Sequence, residues 1–151
     1  MPGWLRFETP TLVALVAAHP STRVATRILN SPQNPAPRGG IIVAYVTGAG
    51  RTDPPSIDGS VATGVGGLAL SVEAGLDFLV ASLGTGSTKC ESDPGCKPVQ
   101  VLYAGPAPGI VAGLIQVNMR LPDSPSASGM HALGISVGGI WSQVNTSVSV
   151  R

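Results

Sequence analysis

Hydrophobic positions in this chain recur at every second residue rather than every third or fourth. The strictest case is residues 114–121, where Ile115, Val117, Met119 and Leu121 share one parity and Gln116, Asn118 and Arg120 the other. Successive side chains of a strand point to opposite faces, so this alternation predicts a half-buried antiparallel strand. Residues 130–137 repeat it with Leu133, Ile135 and Val137 facing inward, and Gly138-Gly139 supplies a tight hairpin turn. Residues 141–150 place Val144, Thr146, Val148 and Val150 on one face and Asn145, Ser147 and Ser149 on the other. This register predicts a core containing Ile115, Val117, Met119, Leu133, Ile135 and Val148.

Residues 41–47 are apolar and β-branched on both parities, which predicts a strand covered on both faces. Short strands are predicted at 24–29, 76–83 and 99–103, whereas 68–74 reads equally as a strand or one or two helical turns. Between them lie breakers: Pro32, Pro35, Pro37, Gly39 and Gly40 in one connection, Pro54-Pro55 and Asp58-Gly59 in another, and residues 105–109 with Pro106 and Pro108. Residues 9–20 read in two ways. One is a short signal peptide, with Arg6 before an apolar centre at 12–18; the other is an ordinary buried segment of a domain whose start lies upstream. No stretch forms a convincing amphipathic helix, so the fold class is all-β, an antiparallel sandwich with Gly/Pro-rich loops.

Composition narrows the function. Only 11% of the 151 residues are charged, against roughly 25% in an average domain, while 43% are hydrophobic, enough for a core. A net charge of +1 with two lysines, Lys89 and Lys97, lacks the basic footprint of a nucleic-acid binder. No apolar run reaches the roughly 18–20 residues of a membrane span.

Candidate chemistry is sparse. Gly134-Ile135-Ser136-Val137-Gly138 matches the G-x-S-x-G nucleophile elbow, which requires a strand-to-helix turn and then an acid and a histidine later in the chain. Ser136 instead sits in an alternating strand, and no Asp, Glu or His follows His131. Cys90, Cys96 and His131 could supply three zinc ligands, but the cysteine spacing is not that of a zinc knuckle and no second pair exists. His131 reads better as a partly buried structural residue. Asp93-Pro94-Gly95 is a strong turn signal that would bring Cys90 and Cys96 together, so a disulfide is favoured over two surface thiols. A disulfide in turn favours an oxidising, extracytoplasmic compartment. Asp53 and Asp58 read as solvated turn carboxylates, Arg38 and Arg51 as solvated loop cations. Gly64-Val65-Gly66-Gly67 lacks the context of a nucleotide-binding loop, so no cofactor is implied.

Asn30-Ser31-Pro32-Gln33-Asn34-Pro35-Ala36-Pro37-Arg38-Gly39, followed by Val43 to Gly50, resembles the opening of the Solibacter-type uncharacterized C-terminal domain, found at the ends of large secreted proteins of acidobacteria. The likeness is strongest at Val101-Leu102-Tyr103-Ala104-Gly105-Pro106-Ala107-Pro108-Gly109 and Val111-Ala112-Gly113-Leu114-Ile115-Gln116-Val117-Asn118. It resumes at Val137-Gly138-Gly139, Ser142-Gln143 and the closing Val-rich strand. Residues 84–97 depart from it as an expanded loop, and the segment before Val24 does not match. The resemblance implies an immunoglobulin-like β-sandwich over 31–151, preceded by a poorly matched segment 1–30, and no catalytic residues. It also places the cysteine loop at one end of the sandwich, where a disulfide would stiffen the loop tip without holding the core.

The reading is therefore a non-catalytic, extracytoplasmic accessory or interaction module at the C-terminal end of a larger secreted or cell-surface bacterial protein. Its partners would be neighbouring domains or other surface proteins. The alternative is a carbohydrate-binding sandwich attached to a secreted hydrolase. That reading needs solvent-facing rings from a small set: Trp4, Trp141, Tyr45, Tyr103, Phe7 and Phe78.

Overall fold

A computed structural model describes residues 11–18, 27–77, 90, 95–143 and 146–151. Eleven strands are defined among them: β1 Thr11–Ala18, β2 Arg27–Leu29, β3 Ile41–Thr47, β4 Thr52–Asp53, β5 Gly67–Leu68, β6 Val72–Leu76, β7 Lys97–Pro106, β8 Ile115–Arg120, β9 Gly129–Val137, β10 Ile140–Trp141 and β11 Ser147–Val150. A 3-10 turn spans Pro125–Ala127. The architecture is all-β. Nine strands form one curled sheet in the order β10-β9-β6-β7-β8-β3-β1-β2, with β11 also on β9, and β4 and β5 make a separate small ladder. All strand pairs are antiparallel.

The curl has two identifiable sources. Strand β7 serves different neighbours along its length: Lys97 to Val99 pair with β6, whereas Gln100 to Pro106 pair with β8. A register shift between Val101 and Tyr103 falls just beyond the exchange, and such bulges bend a strand and sharpen its twist. The second source is a tie between the two ends of the sheet. Residues 30–38, which follow β2 directly, run beside β11. Asn30 donates from Nδ2 to the Ser149 carbonyl (2.8 Å) and accepts from the Ser149 N–H (2.7 Å). Ala36 N–H donates to Ser149 O, Arg151 N–H to Ala36 O and Arg38 N–H to Arg151 O, at 2.9–3.0 Å.

The core fills the inside of the curl from both arms. Ile42, Ala44, Val46, Val117 and Met119 come from β3 and β8; Leu76, Leu133, Ile135 and Val148 come from β6, β9 and β11. Ile115, Val117, Met119, Leu133, Ile135 and Val148 are each 3% exposed or less, on the parity the alternation predicts. Gly138 and Gly139 both take positive φ (59° and 85°), the conformation a two-residue hairpin turn requires, and join β9 to β10.

Three expectations need correction. Strand β3 is not covered on both faces: Ile42, Ala44 and Val46 are buried while Ile41, Val43, Tyr45 and Thr47 stay half-exposed. Its outward neighbours on β8 are the polar Gln116, Asn118 and Arg120. The strand expected over 76–83 does not run unbroken: β6 ends at Leu76 and Asp77 takes a left-handed backbone (φ 58°), while residues 78–83 lie outside the described residues. The closing strand is divided into β10 and β11, and the Val144 and Asn145 positions lie outside the described residues. The two-way reading of 68–74 resolves as strand at both ends, in β5 and β6.

Residues 11–18 pair along β3 from Thr11 to Ala18. Val117 sits between Ala44 on β3 and Ala104 on β7, with no route to solvent. Val117→Asp is expected to cost several kcal/mol by burying an unpaired carboxylate. Arg120→Ala on the opposite, exposed parity should stay within about 0.5 kcal/mol. Paired urea denaturation curves check both.

Candidate functional site

Ser136 lies in the middle of β9 and is 1% exposed. Its register partners are Glu73 on β6 and Trp141 on β10, so a strand stands on each side of it and no helix follows. The elbow geometry is absent, since an elbow presents its hydroxyl at a sharp turn.

Cys90 and Cys96 stand at disulfide distance, with Cα atoms 5.3 Å apart and their sulfurs bonded to each other. A thiolate joined in a disulfide is not a metal ligand, and the described residues hold no cluster of three or more His, Cys, Asp or Glu side chains. The loop-tip expectation is corrected. Cys90 is buried at 3% exposure, and both sulfurs rest on Gly75 in β6, where an added Cβ would lie 2.5 Å from Cys96 Sγ and 2.7 Å from Cys90 Sγ. The bridge therefore lies against the sheet. Such a bond fits an oxidising environment. Among the described residues no helix is long and apolar enough to cross a membrane.

His131 is buried and takes part in a cluster that the sequence did not advertise. Asp77 follows β6, Lys97 opens β7 and His131 lies on β9. Asp77 Oδ2 accepts from Lys97 Nζ (2.7 Å) and His131 Nδ1 (2.6 Å), while Oδ1 accepts from the Ala132 N–H (3.1 Å). The Asp77 N–H donates to the Ala132 carbonyl at 2.7 Å, so the residue clamps β9 through both backbone and side chain. An ionised carboxylate can only accept, which assigns the proton to His131 Nδ1; Nε2 is buried and has no hydrogen-bond partner among the described residues. Burial works against the charged form of Asp77. The hydrogen bonds from Lys97 and His131, the charge of His131 and the Ala132 N–H outweigh it, and hold the carboxyl below its usual range. Lys97 and His131 thus converge on the Asp77 carboxylate where β6, β7 and β9 meet, with no nucleophile among them. Residues 54, 20 and 34 positions apart carry no local motif, which is why pattern reading missed Asp77 and Lys97.

At the opposite end of the interest scale for chemistry, but not for recognition, are the loops 54–66 and 107–114. They are pinned together by Ala62 N–H to Ile110 O, Gly109 N–H to Ala62 O and Ala112 N–H to Ser60 O, all 2.8 Å. The buried Thr52 hydroxyl organises the first loop, accepting from the Ser56 N–H (2.9 Å) and donating to the Pro54 carbonyl (2.9 Å). The first loop, with Pro106 at the end of β7, forms a cleft of about 430 Å³ with Pro54, Ile57, Val61, Val65 and Pro106 in its walls and no charged side chain. Ile57, Val65, Val61 and Val111 are 76%, 71%, 67% and 55% exposed, and Val61 and Val111 face each other across a β-bridge. A smaller cleft of about 170 Å³ beside it brings in Arg51 and Asp58. Arg38, Arg51, Asp53 and Asp58 are exposed, in line with their reading as solvated loop groups.

The rings are less available. The Tyr103 hydroxyl donates to the Pro106 carbonyl (2.9 Å), which holds the ring along its own strand, and burial pushes its pKa up. Tyr45 and Trp141 are half-buried. Trp4, Phe7 and Phe78 lie outside the described residues.

No family model, curated protein or solved structure matches this chain.

The Asp77 cluster generates a pH prediction with a definite sign. A carboxyl whose pKa is lowered by folding adds stability that is fully present above its unfolded value, about 4, and is lost as pH falls through the folded value. Asp77→Asn is expected to cost about 1–2 kcal/mol near neutral pH, toward the lower figure because solvent screens a carboxylate that is one-third exposed. The difference from the parent should shrink as pH drops below about 4, as read from urea midpoints measured from neutral pH to about pH 3.

Proposed function

We propose that this chain is a non-catalytic β-module that docks onto a protein partner, either a neighbouring domain of a longer chain or another surface protein, in an extracytoplasmic compartment. The observation that carries this reading is the exposed apolar group Ile57, Val61, Val65 and Val111, held on two loops that are hydrogen-bonded to each other. Exposed apolar patches on an ordered frame mark interaction surfaces, and loops on a rigid scaffold are where binding residues concentrate. The absence of an elbow at Ser136 and the engagement of both Lys97 and His131 by the Asp77 carboxylate support a non-catalytic role.

The finer architecture we propose is an immunoglobulin-like sandwich made by folding one sheet. The exchange of partners along β7 divides it into an arm of β2, β1, β3 and β8 and an arm of β6, β9, β10 and β11, with the core between them. The resemblance of residues 30–151 to the Solibacter-type C-terminal domain supports a place at the end of a larger secreted bacterial protein, as does the disulfide. The polysaccharide reading has less support, because the Tyr103 hydroxyl is committed to Pro106 and Trp141 is half-buried.

A photo-crosslinking residue at position 57 in the full-length protein, irradiated in the secreted fraction of its host, should capture a discrete protein that the same residue at position 100 on β7 does not. Val61→Asp with Val65→Asp should abolish the capture. Equal capture from both positions would remove the case for this surface. Labelling of Ser136 by a fluorophosphonate in the folded protein, and not after denaturation, would overturn the non-catalytic reading.

A further inference from the structure

We propose that the Cys90–Cys96 disulfide is a redox-sensitive latch on the outer face of β6 and β9, whose reduction opens that face locally while the core stays folded. The argument begins with what the disulfide covers. Gly75 pairs with Gly134 on β9 and with Pro98 on β7, so the row across these three strands has two positions with no side chain. Glycine weakens the middle of a strand, and it is retained where another group approaches closely. Here the approaching group is the pair of sulfurs resting on Gly75. Oxidised, they take the place of the missing side chains; as two separate thiols, nothing holds both of them over one glycine.

The covered row adjoins the clamp around Asp77. Cys96 is joined directly to Lys97, whose ammonium meets the carboxylate that fixes His131 and Ala132. Loosening Cys96 therefore loosens the start of β7 and, through Lys97, the hold of β6 on β9. The core lies on the opposite side of these strands, on Ala74, Leu76, Leu133 and Ile135, and is packed independently of the sulfurs.

Cys96 is half-buried and Cys90 fully buried, so Cys96 is the more exposed half of the bridge. The thiolate of a dithiol reductant attacks Cys96 Sγ, forming a mixed disulfide and breaking the bond to Cys90, which leaves as a thiolate and takes up a proton. The second thiol of the reductant, deprotonated, attacks the reductant sulfur of the mixed disulfide and releases Cys96. Two electrons pass to the protein, and the dithiol becomes a disulfide.

Amide hydrogen exchange of the full chain, oxidised and after treatment with dithiothreitol, reads the latch. Reduction should speed exchange at Asp77, Lys97 and Ala132 by on the order of tenfold or more, and leave Ile42, Val117 and Met119 unchanged. Gly75→Ala, with the disulfide intact, should reproduce the pattern, because the new Cβ displaces the sulfurs; Cys90→Ser with Cys96→Ser should do so without reductant. Unchanged exchange at the three latch amides would overturn the proposal. So would loss of protection throughout the core, which would make the bridge a global staple, or a disulfide that the dithiol leaves intact in the folded protein.

Discussion

Strand β7 cannot satisfy both of its edges with the same neighbours along its whole length, and the rest of the structure follows from how it divides them. Its first three residues bond β6 and the remainder bond β8, so β6 and β8 are staggered along it rather than face to face. A flat sheet would leave the apolar parity of β8 and that of β9 on one broad, wet surface. Bending at β7 turns those two parities toward each other, and Val117 and Met119 can then share a core with Leu133 and Ile135. Burial of such side chains contributes about 25 cal/mol per Å² of apolar surface removed from water. The bend is what makes that burial available to a single sheet.

A bent sheet still has two ends with unpaired backbone groups. Here the proline-rich connection is put to use. Pro32, Pro35 and Pro37 cannot donate, but Ala36 and Arg38 between and after them can, and both bond to the β11 segment while Asn30 pairs with Ser149 from its side chain. Breakers that argue against a regular strand thus still permit an intermittent one, with donors only at alternate positions. The contact joins residues about 119 positions apart in sequence, which places it among the slow, non-local pairings of the fold.

Legibility in the sequence tracked the range of the interaction. The alternation in residues 115–120 reports burial directly, because period two and one buried face are the same fact, whereas in 133–137 Gly134 and Ser136 on the opposite parity are buried as well. The doubled Gly138-Gly139 turn is equally local. Strand β3 was misjudged because β-branched residues on both parities fit an exposed pleat as readily as a covered one; what distinguishes the two is whether another layer lies above, which no window of seven residues contains. The end of β6 was misplaced because an apolar run continues past it, while the residue that turns the chain, Asp77, is held in its left-handed conformation by groups on β7 and β9. The cysteine pairing was visible from the turn between the two residues, but its seat on Gly75 was not, since a lone strand glycine does not say what approaches it.

The scarcity of charge sharpens the contrast between the two surfaces that remain. On the β6–β9 face, Lys97 and His131 meet one carboxylate, that of Asp77, and Gly75 is covered by sulfur. At the loop end, Ile57, Val61 and Val65 line a cleft without a charged wall, and Arg51 and Asp58 stand in the adjoining one. An apolar centre with a polar border is the usual anatomy of a surface that meets another protein. With so few ionisable groups elsewhere, charge does not dilute that patch, and its exposure to water is an uncompensated cost to the isolated domain. Since the sheet beneath could fold equally well with polar loop tips, the requirement for these side chains lies outside the core, which is the physical basis for reading them as a docking surface.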